Sequence, residues 1–210
     1  EENGVTIVKT EKKNTPQKGT ITVEKTGEIF SNVTSSGEEV TIYQTEYSVN
    51  GLSSAVFEIY ADEDITTPDG TVRVKKDELV ATLKTNTKGT AISKQLYLGK
   101  YRVVEKTAPN GFVLNKTVNH IELTYSGQNE KVTNTLTSFT NDRQKVIIDL
   151  TKILEQNEKF NIGSNDEILN VSFGLYADED LKASNGTVIP ENGLIEIITC
   201  DEKGKATFTT

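Results

Sequence analysis

Apolar residues recur at every second position over short runs of this chain. Ile21 and Val23, Phe57 and Ile59, Tyr101 and Val103, Ile121 and Leu123, and Ile148 and Leu150 each alternate with polar neighbours. That is the period of a strand with one buried face. Between the runs lie turn-forming pairs, among them Ser36-Gly37, Asn50-Gly51, Asp69-Gly70, Asn110-Gly111 and Asn185-Gly186, which close antiparallel hairpins. Helical periodicity is weak throughout, and the polar stretch 155–170 reads as a helical turn or a long loop. The pattern predicts an all-β protein of antiparallel sandwich topology, and 29 Thr, 18 Val and 17 Ile among 210 residues suit a pleated, half-buried surface.

The pattern repeats. Residues 57–91, FEIYADEDITTPDGTVRVKKDELVATLKTNTKGTA, match residues 173–206, FGLYADEDLKASNGTVIPENGLIEIITCDEKGKA, at an offset of 116 that falls to 115 after one deletion. A second match, at an offset of 127, joins NTPQKGTITVEK (14–25) to NDRQKVIIDLTK (141–152). One complete unit is therefore expected over 19–142 and a second, truncated one over 143–210. Residues 1–18 are expected to hold the last strand and linker of a preceding copy, Val5 and Thr6 matching Val132 and Thr133. The chain reads as a slice of a tandem array. The first copy carries 11 extra residues over 29–52 relative to the second, and the copies differ most there.

Strand alternation also assigns polar residues to faces. Lys25 keeps step with Ile21 and Val23, Glu105 with Tyr101 and Val103, and Asn141 with Phe139, so an ammonium, a carboxyl and a carboxamide are all expected to point inward. An isolated buried charge costs several kcal/mol and tends to neutralise instead. Two readings follow. In one, the three side chains form a hydrogen-bonded polar cluster that specifies strand register. In the other, the same desolvation makes a neutral Lys25 amine a nucleophile. Protonated Glu105 then polarises the Asn141 carboxamide and carries a proton to leaving ammonia. The product is a Lys–Asn isopeptide bond.

The segments ITVEKTG, AVFEIYADED, LGKYRVVEKTAPNGF and SFTNDRQK resemble the Cna B-type (SpaA, prealbumin-like) domains of Gram-positive pilins and adhesins, over essentially all of 19–210. The resemblance implies tandem Ig-like, prealbumin-like sandwiches. It implies Glu105 as the catalytic acid, Lys25 as the linking lysine and Asn141 as the linking asparagine, with Asn134 the runner-up acceptor. Lys152 then corresponds to a linking lysine and Asn14 to an acceptor, both without partners in this chain. Phe57 and Tyr101 are candidate aromatic walls that would keep the Lys25 site dry. The implied function is a structural stalk of a cell-wall-anchored surface protein, extracellular and without turnover, with neighbouring repeats as partners and wall attachment through a region outside these residues. The alternative is an adhesin module that binds a host matrix protein or glycan through the 29–52 insertion.

Charge and composition narrow the classes. With 23 basic and 31 acidic side chains the net charge is −8, which disfavours nucleic acid as partner. No run approaches the roughly 20 apolar residues of a membrane helix, so no membrane insertion is expected. One Cys, Cys200, and one His, His120, exclude an internal disulfide and a metal cluster of His and Cys ligands; no metal and no cofactor is expected. His120 is in step with Val118 and Glu122, toward solvent, and Cys200 aligns with Thr85 of the first copy. The ADED runs at 61–64 and 177–180 read as solvated acidic turns more readily than as cation sites, since they lack the spacing and closing Glu of an EF-hand loop. A hydrolase with paired carboxylates has no distinctive spacing to support it.

Overall fold

The computed structural model describes residues 8–11, 14–163 and 166–209. The strand of a preceding copy expected at Val5 and Thr6 lies outside them. The chain divides into two compact units. The first comprises 1–25, 52–108 and 114–139, and the second 26–51, 109–113 and 140–210.

The first unit begins with β1 (Lys18–Ser36), which continues into the second unit after Lys25. The next strand, β2 (Ile42–Gly51), belongs wholly to the second unit. The first unit resumes with β3 (Val56–Ala61), β4 (Ile65–Thr66), β5 (Val72–Val74) and β6 (Leu79–Lys84). It continues with β7 (Thr90–Ile92), β8 (Leu96–Tyr97), β9 (Gly99–Thr107), β10 (Val118–Leu123) and β11 (Val132–Asn141). One sheet has the order β10-β9-β3-β6, all antiparallel. In the other, β1 pairs antiparallel with β7 and β8 and has β11 alongside it. Ile21, Val23, Phe57, Ile59, Tyr101, Val103, Leu123 and Phe139 fill the space between the two sheets. The inward residues are those that the alternation selects, because each strand has one face to bury.

In the second unit β1 and β2 form a long antiparallel ribbon, from Thr26↔Gly51 to Ser36↔Ile42, with a bulge between Phe30 and Asn32. The remaining strands are β12 (Ile147–Thr151), β13 (Ser172–Tyr176), β14 (Leu181–Lys182), β15 (Val188–Ile189), β16 (Leu194–Thr199) and β17 (Lys205–Thr209). β13 pairs with β16, β12 with β17 and β14 with β15, all antiparallel, while a single parallel bridge joins Leu194 of β16 to Ile42 of β2. The polar stretch 155–170 holds two short 3-10 turns, Glu158–Phe160 and Glu167–Asn170.

The sequence repeat folds twice into the same local design. β3–β6 and β13–β16 both run long strand, short hairpin, long strand, and each long pair slips register just before its tyrosine, at Ile59/Tyr60 and at Leu175/Tyr176. Lys25 N–H donates to Gly89 O at 2.7 Å, and Lys152 N–H donates to Gly204 O at 2.7 Å. Gly89 and Gly204 both have positive φ, 76° and 71°, and a Cβ on Gly204 would run into the Lys152 carbonyl. A residue with a side chain is excluded there by both strain and space.

Candidate functional site

Lys25 is fully buried in β1, between Val23 and the point where the strand leaves the first unit. The β1 backbone is held here by the Lys25 N–H bond to Gly89 and by Leu52 N–H donating to Lys25 O at 2.9 Å. With the strand so fixed, the side chain can point only to the face shared by Ile21 and Val23. Glu105 comes to the same interior from β9, where alternation places it after Tyr101 and Val103. Lys25 Nζ lies 3.8 Å from Glu105 Oε1, and both side chains have no exposed surface. Burial lowers the Lys25 ammonium from its ordinary value to about 8, against the opposing pull of the Glu105 charge. Desolvation is the larger effect, so the amine is far easier to deprotonate than a surface lysine.

The other carboxyl oxygen, Glu105 Oε2, accepts the backbone N–H of Asn115 at 2.8 Å. That contact fixes the carboxyl plane, and it comes from a loop with no strand periodicity to announce it. Phe57 is paired directly opposite Glu105 across β3 and β9 and is fully buried. Its ring packs on Phe139, with centroids 4.8 Å apart. Phe57 and Phe139 are thus both buried in the core, Phe57 in register with Glu105. Tyr101 is less direct. It is fully buried but pairs with Ala61, its hydroxyl donates to Tyr97 O at 2.6 Å, and burial pushes that hydroxyl up to about 12.

Asn141, the last residue of β11, is 3% exposed and belongs to the second unit. Asn134 is on the opposite face of the same strand. It is exposed, and its Oδ1 accepts the hydroxyls of Thr20 at 3.0 Å and Thr22 at 2.9 Å. Those threonines alternate with Ile21 and Val23, so Asn134 faces away from the Lys25 side chain. Lys152 and Asn14 are both exposed.

The remaining polar candidates are occupied differently. In the first ADED run Asp62 holds His120 Nδ1 at 2.7 Å, Glu63 meets Lys100 at 3.8 Å, and Asp64 takes Lys75 Nζ at 2.9 Å and the Lys76 N–H at 2.8 Å. The carboxylates diverge toward separate basic groups. The His120 side chain is 64% exposed, and Cys200 is a free, buried thiol.

Residues 38–137 match the family model of the SpaA prealbumin-like fold domain. That span, 100 of the 210 residues, is similar to a SpaA-type domain. The matched span includes Glu105 and leaves Lys25 and Asn141 on either side of it. Among solved structures, the TIE protein of Bacillus anthracis is 21% identical over 92% of this chain and 26% of its own, with a TM-score of 0.54, which shows a shared fold. The D312A form of BcpA, the major pilin subunit of Bacillus cereus, is 24% identical over 63% of this chain and 31% of its own, TM-score 0.36. SpaD, the major pilin of Corynebacterium diphtheriae, is 17% identical over 63% of this chain and 32% of its own, TM-score 0.41. The chain thus spans between a quarter and a third of these proteins. No curated protein matches it. Among the described residues, no helix is long and apolar enough to cross a membrane.

Proposed function

We propose that this SpaA-type segment is part of the stalk of an extracellular, wall-attached bacterial pilin or adhesin, and that a Lys25–Asn141 isopeptide bond ties its first strand to its last. The observation that carries the reading is a fully buried lysine, lowered to about 8 by burial, held 3.8 Å from a buried carboxyl. Proton transfer from Lys25 to Glu105 gives a neutral amine beside a neutral acid. The amine nitrogen attacks Asn141 Cγ, the Nζ–Cγ bond forms and the Cγ–Nδ2 bond breaks. Glu105 gives its proton to the departing nitrogen, which leaves as ammonia, and takes up the proton that Nζ loses on becoming an amide nitrogen. The reaction runs once per molecule and needs no cofactor.

Strand register supports the pairing. In the first unit Thr20 and Thr22 bond to Asn134, and in the second the Thr26 and Thr140 hydroxyls are 3.0 Å apart. Partner numbers rise together along β1 and β11, so the two strands run parallel. In that register the inward position beside Lys25 falls at the Phe139–Asn141 end of β11. Because Asn134 faces outward, Asn141 is the preferred acceptor.

The test is the intact mass of the chain beside Lys25→Ala, Glu105→Ala, Asn141→Ala and Asn134→Ala variants. The wild type and the Asn134 variant are expected to weigh one ammonia less than their sequences, and the other three to carry full mass. A full-mass wild type leaves the residues as a polar cluster and removes the covalent reading. A deficit lost in the Asn134 variant and kept in the Asn141 variant moves the link to the runner-up.

A further inference from the structure

The residues that distinguish the two copies of the repeat converge on one surface. The β1–β2 ribbon, made largely of the 29–52 insertion, lies in the same compact unit as 140–210, and its contacts there are specific. Ser184 N–H donates to Phe30 O at 3.0 Å. Asn185 Nδ2 donates to Asn32 Oδ1 at 2.8 Å, and Val33 N–H donates to Thr187 Oγ1 at 2.8 Å. Asn32 Nδ2 is turned the other way, onto Glu46 Oε2 at 2.8 Å, so its amide is oriented with the oxygen toward Asn185. Farther along, Ile42 bridges Leu194, and a Cβ built on Gly193 would come within 3.2 Å of Tyr43 Cδ2 and 2.8 Å of Pro190 O.

The first copy supplies an internal control. By the repeat alignment Ser184 corresponds to Pro68, which has no N–H to give. Asn185 corresponds to Asp69, which has no amide donor and is engaged by Thr67, Thr71 and Arg73. Gly193 corresponds to Glu78, a residue whose Cβ at position 193 would crowd both Tyr43 and the hairpin's own Pro190 carbonyl. Leu194 is 6% exposed, whereas its counterpart Leu79 is 46% exposed on β6, the edge strand of its sheet. Three residues thus change in the direction the ribbon requires, and the leucine common to both copies is buried only in the copy that meets it.

We infer that the 26–51 ribbon is an inter-repeat brace: a strand pair extended from one repeat that grips the 181–194 surface of the next through a donor-matched loop and a covered sheet edge. Its partner is the neighbouring repeat of the same chain. A bare edge strand invites non-native pairing, and the ribbon covers β16 at Leu194. This inference goes beyond the cross-link and stands on different residues.

The experiment is amide hydrogen exchange on the whole chain, comparing wild type with Ser184→Pro, Asn185→Asp and Asn32→Ala. The first two restore the residues of the first copy, which that copy's own hairpin accommodates. Each variant is expected to exchange roughly five- to tenfold faster in both the 26–51 ribbon and the 181–199 segment, with 56–61 and 99–107 unchanged. The Asn32→Ala, Asn185→Asp double variant is expected to be no faster than Asn32→Ala alone, since Asn32→Ala already removes the bond to Asn185. Acceleration confined to the mutated side, or additive effects in the double variant, overturns the brace. Unchanged exchange on both sides overturns it as well.

Discussion

Lys25 decides between a polar cluster and a covalent tie, and its titration provides a readout besides mass. In an Asn141→Ala chain the amine stays free and Glu105 stays in place. The folded protein then releases the Lys25 proton near 8, while the unfolded chain holds it to about 10.4. Between these values the unfolded state binds more protons, so stability rises with pH across the window and is lowest below it. The difference amounts to about 3 kcal/mol across the full window. An amide does not titrate, so the linked wild type lacks this increment. Denaturant unfolding of both proteins at pH 7.5 and 10 is expected to show the variant gaining relative to wild type, and Lys25→Met in the Asn141→Ala background is expected to remove the gain. Equal pH slopes in all three proteins would show that Lys25 is not the titrating group.

At the scale of elements, alternation was a sound guide wherever a strand had one buried face. It placed Lys25, Glu105 and Asn141 inward, and all three are buried. It failed where position depends on partners distant in sequence. Asn115 reaches Glu105 from an irregular loop, the parallel course of β1 and β11 leaves no mark on either strand's own pattern, and the insertion gave no sign of its partner because the residues it contacts are more than 150 positions away. The repeat alignment holds that missing information only once the structure shows which copy meets the ribbon. Leu79 and Leu194 make the point testable. Leu79→Lys puts an ammonium on an open edge already 46% exposed and is expected to change stability by less than about 0.5 kcal/mol. Leu194→Lys buries the same group and is expected to cost about 2 kcal/mol or more. Thermal melts of the two variants make the comparison, and equal losses would mean that β6 is covered as β16 is.

For the whole molecule the consequence of the proposed bond is mechanical. A Lys25–Asn141 link closes 116 residues of sequence, which the chain-entropy account values at roughly 4 to 5 kcal/mol, comparable to the entire net stability of a small domain. Force changes the comparison further. When tension enters at the start of β1 and leaves after Asn141, the two parallel neighbours are pulled from opposite ends, and the strands are sheared rather than peeled. In the linked protein that tension passes from the β1 backbone through the Lys25 side chain to β11, and the 116 residues between are bypassed. Pulling wild type and Asn141→Ala chains by handles at their ends therefore separates the readings. The variant is expected to release an additional length on the order of 400 Å, at about 3.5 Å per residue, when this segment unfolds. The linked wild type is expected to lack that step while still extending through residues 143–210. A wild-type trace containing the long step would show that force is carried by hydrogen bonds and packing alone, because no covalent bypass can yield that length without breaking.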